Sequence, residues 1–105
     1  MRNNYGWEKL HSAVHILSGA GDQKDRVITA IRGELIHINL DNGDLPEEMK
    51  ERFQAFWDEV SSVSSDNDEG SIAATINSFD YAQLSKSIEA IISMYDEVCG
   101  RRGVI

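Results

Sequence analysis

Residues 46–61 read PEEMKERFQAFWDEVS. Met49, Phe53, Phe56, Trp57 and Val60 fall at helical spacing and share one side of an α-helix. Glu47, Lys50, Glu51, Gln54, Asp58 and Glu59 cover the rest of its circumference. Pro46 suits the first helical position, where its missing N–H has no partner to lose. Glu47, Glu48 and Glu51 lie near the N-terminal end, where the helix dipole favours anions. The stretch therefore predicts a helix that must bury its aromatic face against something else.

The flanking sequence supplies further helices rather than a sheet. Upstream, Asp41-Asn42-Gly43-Asp44 is a turn centred on an Asn-Gly pair. Before it, residues 23–38 predict a second helix with Asp22 as N-cap and Asp25 three residues on. Val27, Ile28, Ile31, Leu35 and Ile38 form its apolar face, and Ala30 and Ile36 widen it. Gly33 falls inside this helix, where two readings are open: it permits a close crossing, or it is incidental. Strict alternation from Leu35 to Leu40 also leaves a strand reading open there. Residues 5–18 predict a first helix with Trp7, Leu10, Val14 and Leu17 inward, ended by Ser18-Gly19-Ala20-Gly21.

Downstream, residues 61–70 (SSVSSDNDEG) read as a loop. Residues 71–77 (SIAATIN) leave three readings open: a short helix, a single turn, or a stretch pinned by Ile72 and Ile76. Asp80 and Gln83 then form a capping box, with Phe79 and Leu84 as its hydrophobic staple. The helix that follows is expected over 81–98, with Leu84, Ile88, Ile91, Tyr95 and Val98 as its stripe, Ile92 beside it, and Gly100 as terminator. These patterns predict a compact all-α bundle of four main helices forming one domain over residues 1–105. A short extra helix lies between the third and fourth if 71–77 coils.

Composition agrees with that class. The 105 residues are 41% hydrophobic and 27% charged with one proline, which excludes a collagen-like chain and argues against disorder. By size scaling, about two thirds of the surface of such a chain is buried on folding, enough for one core. A lone cysteine, Cys99, excludes an internal disulfide and a cysteine-rich zinc site. The start, MRNNYGWEK, lacks the apolar stretch of a signal peptide, and no run is long and apolar enough for a membrane helix. A cytoplasmic protein without a membrane partner is expected.

The net charge of −8 is placed unevenly. Residues 1–40 carry +1 and residues 70–105 carry −1. Between them lie Asp41, Asp44, Glu47, Glu48, Glu51, Asp58, Glu59, Asp66, Asp68 and Glu69, opposed only by Lys50 and Arg52, for −8. Such a segment repels phosphate backbones and steers cationic partners, so direct nucleic-acid binding is disfavoured.

Chemical motifs are sparse. His11 and His15 are one helical turn apart with Glu8 three residues before, but HSAVH lacks the zincin glutamate, and a metal would need another ligand from the fold. Asp66, Asn67, Asp68 and Glu69 lack EF-hand spacing. The carboxylate pairs Glu47/Glu51 and Asp58/Glu59 sit on a polar face, where nothing separates their acidities. Cys99 has no neighbouring histidine in sequence. Arg32 and His37 stand in RGELIH, whose arginine-to-histidine spacing resembles that of HEPN ribonucleases. The resemblance covers six residues and implies an arginine and histidine acting on RNA at a dimer interface, though Gly33 stands where that pattern carries a polar residue.

No cofactor is called for, and no assembled catalytic motif argues for an enzyme. The expectation is a non-enzymatic protein-binding module that meets a basic protein through Glu47, Glu51, Asp58, Glu59, Asp66 and Asp68, with Trp57 as aromatic anchor. Inhibitor, antitoxin and immunity roles fit that physics. The competing expectations are a small hydrolase or ribonuclease using His37 with Arg32, or the His11/His15 pair, and a homo-oligomeric structural subunit.

Overall fold

The structure is a computed structural model that describes residues 4–65 and 68–102. It is an all-α bundle of five helices: α1 (Asn4–Leu17), α2 (Gln23–Gly33), α3 (Lys50–Val60), α4 (Asp68–Ser78) and α5 (Tyr81–Arg102). Short 3₁₀ turns at Leu35–His37, Leu40–Asn42 and Glu47–Met49 occupy the connection between α2 and α3. Among the described residues there is no strand, and no helix is long and apolar enough to cross a membrane.

The open reading of residues 71–77 resolves as helix. Ser71, Ile72, Thr75 and Ile76 are all buried in α4. Thr75 Oγ1 donates to the Ser71 carbonyl at 2.7 Å and accepts the Val63 N–H at 2.9 Å. A buried hydroxyl satisfied in both directions ties the preceding loop to the helix without an unpaired polar group.

The second helix is shorter than its apolar pattern predicts. α2 ends at Gly33, the backbone turns at Glu34 (φ −123°, ψ −59°), and Ile38 and Asn39 are extended. The alternation from Leu35 to Leu40 thus marks where helical periodicity stops, although no strand forms. Gly33 ends the helix and touches nothing: a Cβ built there has no neighbour within 4 Å. The close approach falls instead at Gly6, in the first turn of α1, where a Cβ would lie 2.0 Å from the Asp44 carbonyl oxygen.

Helix registers differ from the hydropathic stripes in the same way. α1 turns Gly6, Leu10 and Ala13 inward, while Trp7, Val14 and Leu17 are half-buried at the margin. In α5 the buried line is Leu84, Ser87, Ile91, Met94 and Val98, with Ile88 and Tyr95 beside it and Ile92 46% exposed. Gly100 does not stop α5, which continues to Arg102. Pro46 precedes the helical turns rather than entering them (ψ 150°), and a 3₁₀ turn leads into α3 at Lys50.

One hydrophobic cluster draws on all five helices. α1 packs on α2 and α5, α2 also on α4, and α3 on α4 and α5. The predicted caps form. Asp22 accepts the Lys24 N–H at 3.1 Å. Asp80 Oδ1 accepts the Gln83 N–H at 2.8 Å, and Gln83 Oε1 accepts the Asp80 N–H at 2.9 Å. Phe79 and Leu84 are both buried beside this box. Asp80→Ala is expected to cost about 1 kcal/mol, or about 4–8 °C in melting temperature. Asp80→Ser should recover most of it. An unchanged urea midpoint would mean that packing of Phe79 alone fixes the start of α5.

Candidate functional site

The connection between α2 and α3 builds one wall of an open groove of about 480 Å³. Residues 35–41 form that wall, and Phe53, Gln54 and Trp57 of α3 form the other. The wall is stiffened by polar bonds made within the turn. The buried Asp44 carboxylate accepts the Asn39 N–H at 2.7 Å, and Asn39 Oδ1 accepts the Asp41 N–H at 2.9 Å. Gly43 takes a left-handed conformation (φ 75°), which permits the reversal that follows. Asp44 is therefore spent internally and does not join the displayed carboxylates.

On the α3 side, buried Phe53 backs the half-buried Trp57. Their ring centres are 6.2 Å apart with planes 20° from parallel. A second depression of about 370 Å³ shares Asp41 with the groove and runs past Pro46 to Glu47 and Lys50. The first is aromatic at Phe53 and Trp57, and the second is charged at Glu47 and Lys50.

The sequence-predicted site residues divide between two sides of α3. Glu51, Gln54 and Asp58 stand three and four residues apart and share one face, with Gln54 Nε2 donating to Asp58 Oδ1 at 2.9 Å. Glu47 precedes Glu51 by four residues and continues the row. Glu59 is about 100° further round the helix. It lines a different depression, between α3 and α5, with Arg52, Phe56 and Met94. Asp66 lies outside the described residues, and only the backbone of Asp68 is described, at the start of α4.

Among the described residues, few cations meet this face. Lys50 pairs with Glu47 at 3.1 Å. Arg52 turns to α5, where it meets Glu97 and the Ser93 hydroxyl, each at 2.6 Å. Arg26 donates to the Leu17 carbonyl at 3.0 Å and to the Gly21 carbonyl. Among the described residues, Asp41, Glu51, Asp58 and Glu59 are exposed and form no ion pair.

The histidines go to separate places. His11 and His15 are adjacent on α1, with ring centres 4.5 Å apart. His11 Nδ1 lies 2.9 Å from the Tyr95 hydroxyl, and its ring stacks on Trp7 at 4.7 Å. Trp7 Nε1 in turn donates to the buried Cys99 Sγ at 3.3 Å. These contacts join α1 to α5. Among the described residues, no three His, Cys, Asp or Glu side chains converge as a metal site. His37 lines the Trp57 groove, whereas Arg32 lines a shallow depression with Ile28, Thr29 and Gly33. The structure does not bring these two residues into one pocket.

The sequence singles out Trp57 and the α3 carboxylates as candidates but not the wall formed by residues 35–41. Its signal was the break from helical to alternating periodicity after Leu35. No protein-family model matches the sequence, and comparisons with curated proteins and with solved structures give no significant match.

Proposed function

We propose that this chain is a non-enzymatic protein-binding module whose acidic segment 41–69 receives a basic protein partner. The observation that carries this reading is the placement of Trp57. A fixed aromatic ring lines a groove beside a row of exposed carboxylates, and the segment's two cations are already paired. An aromatic anchor ringed by polar groups is the composition of binding hot spots. The surrounding negative field accelerates encounter with a cationic surface and disfavours nucleic acid. An inhibitor, antitoxin or immunity role fits such a module, in which occupying a basic surface is itself the activity. The cytoplasm suits its one free, buried thiol.

The test is capture from a cell lysate, followed by titration of the captured protein. The comparison variant combines Glu47→Lys, Glu51→Lys, Asp58→Lys and Glu59→Lys. The expected ligand is basic, and its affinity falls about 10- to 100-fold in the variant. Wild-type affinity should also weaken from about 0.15 M to 1 M salt, as the screening length shrinks from about 8 Å to 3 Å. Unchanged capture by a variant that circular dichroism shows to be folded would refute the proposal.

A further inference from the structure

We infer that the groove beside Trp57 reads an arginine side chain of the partner, in preference to lysine. This rests on the basic-partner reading and assigns the residue that reading leaves open. Two aromatic rings of α3 line the groove, half-buried Trp57 and buried Phe53, with ring centres 6.2 Å apart and planes 20° from parallel. The groove's polar lining comprises His37, Asn39, Asp41 and Gln54. Exposed Asp41 brings an acid to that lining, and Gln54 gives one amide N–H to Asp58 at 2.9 Å while its amide oxygen can accept. Among the described residues no lysine or arginine lines the groove, and Lys50 of α3 is held by Glu47.

A guanidinium meets these requirements together. It is flat, weakly hydrated and permanently charged, and it stacks on an indole while its edge donates to a carboxylate. An ammonium is a compact, strongly hydrated point charge that gains less from the ring. The volume of about 480 Å³ admits an arginine side chain with its flanking residues.

The experiment uses three synthetic peptides of equal length, in which glycine alternates with arginine, lysine or citrulline. Each is titrated calorimetrically into the full chain at about 0.15 M salt. The arginine peptide should bind about tenfold more tightly than the lysine peptide, and the citrulline peptide should not bind. Trp57→Ala should lower the arginine peptide to the lysine level and leave the lysine peptide unchanged. Trp57→Leu, which keeps apolar bulk without the π face, should do the same and covers the case in which the alanine variant unfolds. Equal affinity for arginine and lysine in wild type, or a preference that survives both Trp57 variants, overturns the inference. If the two cationic peptides bind equally and the quadruple charge reversal abolishes both, arginine reading fails while the basic-partner reading stands. If neither cationic peptide binds, both fail.

Discussion

Gly6→Ala is expected to destabilise the protein by about 2–4 kcal/mol, because a well-packed contact has no room for the added methyl. In melting temperature that is a fall of about 10–25 °C for a chain of this size. Elsewhere in a helix the same substitution gains up to about 1 kcal/mol. Here the new Cβ would lie 2.0 Å from the Asp44 carbonyl oxygen and 3.0 Å from both the Asp44 carbonyl carbon and Leu45 Cδ2. The first of these is backbone, so no rotamer change relieves it. Either α1 lifts from the bundle, or the 39–44 turn moves outward with the groove wall it forms. Gly33→Ala is the matched control. Nothing lies within 4 Å of its Cβ position, and its φ is not positive. That variant should be neutral or more stable by a few tenths of a kcal/mol. Thermal melts of the pair decide the point, and equal melting temperatures would mean that Gly6 is not a close contact.

The two glycines also show what was legible in the sequence. Periodicity and capping chemistry located α3 and the start of α5, because large apolar residues at helical spacing and an Asp-x-x-Gln box announce themselves locally. Gly6 and Ala13 carry no hydropathic signal, yet they make the inward face of α1. The hydropathic stripe accordingly runs one residue away, through Trp7 and Val14. What makes Gly6 necessary is a turn 38 residues further along, and no local pattern encodes that proximity. The sequence of α4 is ambiguous for a related reason. Half of its buried side is Ser71 and Thr75, which look like loop residues in a hydropathy pattern, although the Thr75 hydroxyl is satisfied within the fold by the Ser71 carbonyl and the Val63 N–H.

The acidic segment was legible as a charge count but not as a surface. Spacing along α3 could place Glu51 and Asp58 together and Glu59 apart, since helix geometry alone requires it. It could not reveal that Asp44 turns inward to hold Asn39, or that Arg52 leaves the segment to pair with Glu97 on α5. Both depend on contacts made after the chain has folded back. Trp57 lies between these cases. Its position on the apolar margin followed from the pattern, whereas the wall opposite it exists only because α2 stops at Gly33.

Phe53→Ala is the second large effect, and it bears on stability and binding by different routes. Phe53 is 4% exposed, belongs to the central cluster, and contacts both Phe56 and Trp57. Truncating a buried phenylalanine costs about 3–5 kcal/mol through lost transfer energy and the cavity left behind. Against a total of about 5–15 kcal/mol for a domain, that is a large part of the stability. The urea midpoint should fall sharply with little change in slope, as expected when stability changes without a change in the surface exposed on unfolding. Phe53→Leu keeps most of the volume and should cost only about 1–1.5 kcal/mol. It nevertheless removes the flat surface that backs Trp57. The leucine variant should therefore remain folded and lose affinity for a basic partner out of proportion to its stability loss. If Phe53→Leu binds as wild type does, Trp57 is held by its own rotamer and the wall at residues 35–41, and Phe53 serves the core alone.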